Sequence, residues 1–159
     1  MSTEAEIRAA ILAKLQGVNG IGQVHDYERY GKRDSDMYAL YKDDAKGRLL
    51  GWNFYRESTA ELEQDIGEVR RLFTWRINGF MSLDDADATG NLFQALIEDI
   101  ASAFRADPTL GGVIDDNKDM SQEFGPVGLQ VDAIEPVMFA GVLCHRARLR
   151  LITETTESK

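Results

Sequence analysis

Apolar residues recur at spacings of three and four along residues 87–112, and this is the strongest helical pattern in the chain. The polar residues between them fall on the opposite side, so the helix should lie with one face against a core. Pro108 ends the pattern, because its ring disfavours the helical conformation at Asp107 and removes a backbone donor. The residues predicted to face the core are Leu92, Phe93, Leu96, Ile97, Ile100, Ala101 and Phe104.

A second helix is predicted near the amino terminus. Thr3 and Glu6 have the spacing of a capping box, in which each side chain accepts a hydrogen bond from the backbone amide of the other residue. Gly17 is expected to end the helix in the left-handed conformation, which glycine adopts at little cost. The apolar stripe of this helix consists of Ile7, Ile11 and Leu15.

Alternating apolar and polar residues predict strands in much of the remaining chain. The predicted strands cover residues 23–30, 48–56, 65–80, 128–134 and 137–153. Residues 57–64 fit either a wide hairpin or one helical turn. In the last predicted strand, Arg146, Arg148 and Arg150 occupy alternate positions and therefore project from one face.

Residues 31–47, the charged segment, are rich in Lys and Asp. A short helix through Met37, Leu40 and Tyr41 fits this segment, and so does a mobile loop. Loops of this length are uncommon in compact domains unless they bind something or are disordered, so the segment is a candidate contact arm. A solvated excursion is the alternative. Residues 154–159 are polar and are predicted to be a frayed tail.

The order of these elements predicts a single α+β domain over residues 1–159. Consecutive strands pair most easily in an antiparallel sheet, and each amphipathic helix needs a surface to cover. We therefore expect a mostly antiparallel sheet with two main helices packed on one face. A chain of 159 residues is long enough to bury a core without disulfides or metal.

Composition narrows the classes of partner. The net charge of −9 and the pI of about 4.7 make the chain as a whole repel nucleic acid phosphates. The amino terminus is charged and lacks the apolar core of a signal peptide. No apolar run approaches the roughly 20 residues that a membrane helix needs, so no membrane contact is expected.

Residue types that carry catalysis or bind metals are few and scattered. His25 and His145 are far apart in sequence, and Cys144 and His145 would point to opposite faces of a strand. The carboxylate run at residues 84–87 lacks the ligand spacing of a calcium loop. The sequence therefore predicts no catalytic residues, no cofactor and no metal site, and the protein is not expected to be an enzyme.

Two segments carry a family resemblance: the helix that ends in AFRADPTLGG, residues 103–112, and the carboxy-terminal segment VMFAGVLCHRARLRLIT, residues 137–153. Together with the amphipathic amino-terminal helix and the aromatic-rich antiparallel middle, they resemble the tail terminator, or tail-completion, proteins of long-tailed bacteriophages and prophages. The resemblance extends over roughly the whole chain as a pattern.

This resemblance implies a structural protein of the virion tail, assembled in the host cytoplasm. Such proteins form a homo-oligomeric ring, a homohexamer, that caps the tail tube, ends its polymerisation and provides the surface for head-tail joining. The implied partners are other copies of the chain, the tail tube protein and head-tail connector proteins, with DNA passing through the lumen without specific binding. The alternative functions are another head-tail connector or tube component of similar fold, and then a small-ligand-binding module or enzyme.

A closed ring needs two different complementary patches on each subunit. One candidate is the row Arg146, Arg148 and Arg150, whose acidic partners could lie on the next subunit or on an adjacent strand of the same subunit. The other candidate is the charged segment. Its predicted interface residues are Lys32, Arg33, Asp34, Asp36, Tyr38 and Tyr41.

Overall fold

The computed structural model describes residues 2–159, and six strands form one sheet with three helices around it. The strands are β1 (Gln23–His25), β2 (Lys42–Asp43), β3 (Arg48–Asp65), β4 (Glu68–Ser82), β5 (Gln130–Phe139) and β6 (Val142–Ser158), and the helices are α1 (Glu4–Gln16), α2 (Asp34–Tyr41) and α3 (Thr89–Ala106). The strand order is β1-β3-β4-β6-β5, with β2 pairing separately with β3. Only the β1–β3 pairing among these is parallel, so the predicted α+β class is confirmed.

Helices α1 and α3 cover one face of the sheet, as predicted for the two main helices. The indole of Trp52 on β3 stacks against Phe93 of α3 at 5.6 Å between ring centroids. Its Nε1 donates to the carbonyl of Ile21 at 2.8 Å, so the ring packs without an unsatisfied polar atom. The buried sheet residues of this core include Leu50, Phe54, Phe73, Trp75, Ile77, Ala147, Leu149 and Leu151.

Both ends of α1 lie where they are predicted, at Thr3 and Gly17, but the conformation of the C-terminal cap differs from the prediction. The backbone amide of Glu6 donates to Thr3 Oγ1 at 3.2 Å, which confirms the Thr3 cap. Gly17 has φ −77° and is right-handed, so the predicted left-handed cap is wrong. The chain turns later, at Gly22 with φ +84°, where an added Cβ would lie 2.3 Å from the carbonyl oxygen of Leu50.

Helix α3 ends at Ala106, directly before Asp107 and Pro108, as predicted. Most of its predicted apolar stripe is buried, but Leu92 is 49% exposed, so its assignment to the core is wrong. Phe93 occupies the core at this point of the helix, and the adjacent position 92 is rotated about 100° away from it.

Helix α2 lies on the opposite face of the sheet and closes a smaller second core. Tyr41 at its end is fully buried and meets Phe139 edge-to-face at 5.1 Å. Phe139 stacks on Phe80 at 3.8 Å, and Cys144 completes the cluster. Of the two alternatives for residues 31–47, the structure contains the short helix. Mobility of this segment stays a prediction.

Two strand predictions are wrong in extent. Only Gln23–His25 of the predicted strand 23–30 pairs with β3, and the pairing is parallel. The predicted continuous strand 137–153 is instead two strands joined by a tight turn at Ala140 and Gly141, with φ +54° and +74°. Two consecutive residues with positive φ make the sharp hairpin turn that matches strand twist.

Of the two alternatives for residues 57–64, the structure contains the hairpin and not the helical turn, but these residues continue β3 as a projecting strand and the turn comes after them. Strands β3 and β4 join through Ile66 and Gly67, and residues 57–68, here called the hairpin arm, are all exposed. The last residues of β6 pair with β4 along the arm. The amide of Lys159 donates to the carbonyl of Gly67 at 2.8 Å, so the predicted frayed tail 154–159 is wrong.

Candidate functional site

The sheet face opposite α1 and α3 is covered by α2 at one end only, and arginines occupy part of the remainder. Arg76 projects from β4, and Arg146, Arg148 and Arg150 project from alternate positions of β6. We call these four residues the arginine face. The paired positions Arg76 and Arg150 place two guanidinium groups side by side on neighbouring strands.

Carboxylates of the same chain neutralise three of the four arginines. Arg76, the most buried of them with a side chain 9% exposed, binds Asp132 at 2.6 Å and Glu57 at 3.1 Å. Arg150 also binds Asp132, at 3.3 Å. Arg146 binds Glu135 on the neighbouring strand β5. Of the two alternatives for the arginine row, the structure therefore contains intrasubunit pairs for Arg146 and Arg150.

The pKa values of this network follow from burial and pairing. Burial alone would lower the pKa of Arg76, but its hydrogen bonds to Asp132 and Glu57 more than offset that effect and raise the pKa. Burial would raise the pKa of Asp132, whereas Arg150 and Arg76 lower it overall. Both groups therefore stay charged at neutral pH.

Arg148 differs from its neighbours. Among residues 2–159 it forms no salt bridge and no side-chain hydrogen bond, although it is half-buried on the sheet. Its strand partners are Asn78 on β4 and Ala133 on β5, neither of which carries charge. A half-buried guanidinium without a carboxylate keeps a favourable position open for an anionic group from outside the chain.

The charged segment contributes an exposed part and a buried part. Lys32, Arg33 and Asp34 are exposed, and Arg33 pairs with Asp36 at 3.2 Å within the segment. Tyr38 is half-buried against the second core. Tyr41 is fully buried: its hydroxyl donates to the carbonyl of Arg29 at 3.0 Å and accepts from Asn53.

The fully buried Tyr41 therefore belongs to the core of the subunit rather than to an exposed contact. Helix α2 and the arginine face lie on the same side of the sheet, so these two predicted patches adjoin each other.

Sequence reasoning missed the hairpin arm as a functional element. The arm contains no lysine or arginine, and its carboxylates are Glu57, Glu61, Glu63, Asp65 and Glu68. Three of the five are paired: Glu57 with Arg76, Glu61 with Arg71 and Glu63 with Lys159. Five acidic residues and no basic residue within residues 57–68 were the sequence signal available.

Two features of the arm make it a candidate contact element. The outer edge of β3 beyond Asn53 is unpaired among the described strands, because β1 ends opposite that residue. The tip residue Ile66 is 96% exposed and Leu62 is 40% exposed. Acidic side chains on an open edge are also a common protection against aggregation, so the edge alone does not identify a partner.

A buried ion-pair network near the tip of the arm joins β4 to β6 and to the loop after α3. Arg70 of β4 binds Glu154 through Nε at 2.8 Å and Asp119 through Nη2 at 2.6 Å. The Glu154 side chain is only 2% exposed. The hydroxyl of Ser121, followed by its amide and Arg70, lowers the pKa of Asp119 well below its usual range.

The edge hairpin β5–β6 exposes apolar side chains on its other face. Helix α3 covers the centre of the sheet and leaves the side chains at the β5 edge uncovered. Neighbouring apolar side chains that are this exposed are typical of surfaces that meet another protein. The exposed residues are Val131 (45%), Ile134 (38%), Met138 (68%) and Leu143 (46%).

The residues considered for chemistry lie in structural positions. His25 Nε2 lies 2.7 Å from the carbonyl oxygen of Leu40, and burial raises the pKa of Cys144 to about 11. His145 Nε2 lies 2.8 Å from Thr89 Oγ1 at the start of α3, beside a cleft of about 290 Å³, and burial lowers its pKa.

The structure does not bring these three residues together as one site. No group of three or more histidine, cysteine or acidic side chains within residues 2–159 is arranged to hold a metal ion. None of the helices described for the same residues combines the length and apolar character needed to cross a bilayer.

Comparison with known proteins adds no assignment. A scan against protein-family models and a search of curated proteins both return no match for this chain.

Proposed function

We propose that this protein is a structural subunit of a bacteriophage tail, a tail terminator that forms a ring on the end of the tail tube. The observation that carries the proposal is the β5–β6 edge hairpin, which exposes apolar side chains on one face and the arginine face on the other. Exposed patches of these two kinds on one edge suit repeated contacts between proteins. The resemblance of residues 103–112 and 137–153 to tail terminators supports the specific role.

In this proposal, each subunit contacts the next through two different surfaces, so that six copies close into a ring. The ring then covers the last layer of tail tube protein and prevents the addition of another layer. Its far side receives the head-tail connector proteins. The net charge of −9 lets DNA pass through the lumen without adhering to it.

The first test is the size and shape of the purified protein. Light scattering after gel filtration should give a mass close to six times 17.8 kDa, and negative-stain images should show rings. Added during polymerisation of the tail tube protein, the ring should limit tube length. A protein that remains monomeric over the whole accessible concentration range, and that leaves tube length unchanged, would refute the proposal.

A charge reversal tests the arginine face itself. Arg148→Glu should weaken ring formation and leave the monomer folded, because Arg148 has no carboxylate partner inside the described chain. The double change of Arg148 and Arg150 is less informative, since Arg150 binds Asp132 within the subunit. Arg105→Glu, an exposed change on α3, is the matched control and should leave assembly intact. If the wild type, Arg148→Glu and Arg105→Glu assemble equally well over a range of salt, the arginine face is not an assembly surface.

A further inference from the structure

Unpaired charges of opposite sign lie at two distant places on the subunit. Arg148 is the arginine of the arginine face that lacks a carboxylate. Asp65 and Glu68, which flank the tip of the hairpin arm, are the two arm carboxylates that form no salt bridge within residues 2–159. Arg148 therefore lacks an anionic partner, and Asp65 and Glu68 lack a cationic one.

These charges cannot meet within one subunit. Glu68 and Asn78 lie on the same strand, and Asn78 is the β4 residue paired with Arg148. Ten residues of extended strand at roughly 3.3 Å each separate the arm tip from Arg148 by about 33 Å. The strands are held in register along this whole length by β3 and β6, so the arm cannot fold back.

We propose that the hairpin arm of one copy docks on the arginine face of the next copy, with Asp65 and Glu68 beside Arg148. This inference rests on the proposed ring and names the contact that closes it. Arm and arginine face are different surfaces of the same chain, so the contact is head-to-tail and generates a ring when the rotation closes. The occupant is a second copy because the complementary charges belong to this chain.

The tip of the arm adds an apolar element to the contact. Ile66 is 96% exposed, which is unfavourable for a large apolar side chain at the end of a projecting hairpin. On the arginine face it would lie against the aliphatic stems of neighbouring arginines and against Ala133, the strand partner of Arg148. Burial of this side chain would supply the contact with a component that salt does not screen.

A charge swap tests the contact in the 159-residue chain. Asp65→Arg with Glu68→Arg should weaken association by up to about 5-fold at each contact, as should Arg148→Glu, since an exposed pair contributes up to about 1 kcal/mol. Combined in one chain, the three changes should restore ring formation towards the wild-type level. The matched control combines the arm changes with Arg105→Glu, which should restore nothing.

The outcomes separate this inference from the proposed function. Restoration only in the combined Arg148 variant supports the docking of the arm. Two results would overturn the docking without affecting the proposed ring. One is normal ring formation by both the arm variant and Arg148→Glu, and the other is a combined variant that assembles no better than the Arg105 control. If the wild-type protein forms no ring, the proposed function fails first. If the arm variant forms normal rings that no longer limit tube length, the arm contacts the tube protein and its docking on the next subunit is wrong.

A cross-link provides a second readout that is independent of charge. Asp65→Cys and Arg148→Cys proteins, mixed and oxidised, should form a disulfide-linked dimer, whereas Asp65→Cys mixed with Arg105→Cys should not. Each chain carries only one introduced cysteine, so a bond between positions 65 and 148 must join two copies, and it requires their Cα atoms to lie within about 7 Å of each other. The native Cys144 is fully buried and does not interfere. Equal cross-linking in the two mixtures would contradict the proposed contact.

Discussion

Arg70→Met removes the guanidinium that neutralises the most buried carboxylate of the arm region. Glu154 is 2% exposed and Arg70 is 13% exposed, so the pair lies almost entirely out of water. Without Arg70, the Glu154 carboxylate accepts a hydrogen bond only from the backbone amide of Met120, at a long 3.4 Å. The change therefore leaves a buried charge without compensation.

The expected loss of unfolding free energy is about 3–5 kcal/mol, the usual cost of removing one partner from a buried ion pair. This is a large fraction of the roughly 5–15 kcal/mol by which a domain is stable. At about 2–4 °C per kcal/mol for a chain of this size, the melting temperature should fall by about 6–20 °C. Urea unfolding and calorimetry at one fixed protein concentration measure both quantities, because self-association would itself change the apparent stability.

Two further variants separate the buried charge from simple loss of packing. Arg70→Met combined with Glu154→Met removes both charges of this pair and should recover stability to within about 1.5 kcal/mol of the wild type, because a buried pair often contributes little net stability and Asp119 keeps its hydrogen bonds from the hydroxyl and amide of Ser121. Arg71→Met should cost less, about 1–2 kcal/mol, since its two partners Glu61 and Glu157 are 58% and 24% exposed and neither is left fully buried. A single Arg70 change that costs less than about 1 kcal/mol, or a double variant as unstable as the single one, would refute the reasoning.

Three other predictions concern packing, pH and mobility. Gly79→Ala should lower the free energy of unfolding in urea by about 1–3 kcal/mol, because its Cβ would lie 2.1 Å from the ring of Trp52. Gly90→Ala in α3 meets only ordinary contacts and should raise the free energy of unfolding by about 0.4–1 kcal/mol. Burial lowers the pKa of His145, so wild-type stability should fall below pH 6.5, where the unfolded state binds the proton first; His145→Gln should reduce this loss. In hydrogen exchange, the last turn of α2 should be protected in the isolated subunit because Tyr41 is buried, and residues 31–33 should exchange quickly.

Each of these three has a contradicting result. Equal stability of the two glycine variants would show that the sheet can relax around Trp52. Parallel pH profiles of the wild type and His145→Gln would show that this histidine does not couple protonation to folding. Fast exchange throughout residues 31–47 in the monomer, with protection in the ring, would favour the mobile contact arm over the packed helix.

Local patterns determined much of the fold. The Thr3 cap and the Pro108 stop depend on backbone groups a few residues away, so sequence alone located these ends of α1 and α3. The common face of Arg146, Arg148 and Arg150 on β6 followed from alternation, because successive side chains of a strand point to opposite faces. These features are fixed by short-range geometry and do not depend on which strands become neighbours.

Local patterns failed where the outcome depends on a distant partner. The turn at Ala140 and Gly141 interrupts an apolar alternation that continues through it, and only the pairing of β5 with β6 shows the reversal. Residues 154–159 look like a polar tail, but residues 154–158 continue β6, because β4 offers them an edge to pair with. Exposure of Leu92 likewise depends on which face of α3 meets the sheet.

The candidate site shows the same division. Alternation alone placed Arg146, Arg148 and Arg150 on one face of a strand. Only the sheet order brought Asp132 and Glu135 to two of them and left Arg148 beside uncharged residues. An ion pair needs two groups within about 4 Å in space, and sequence separation carries no information on that distance when the groups come from different strands. The sequence therefore determined which charges this protein has, and the tertiary structure decided which of them remain available to a partner.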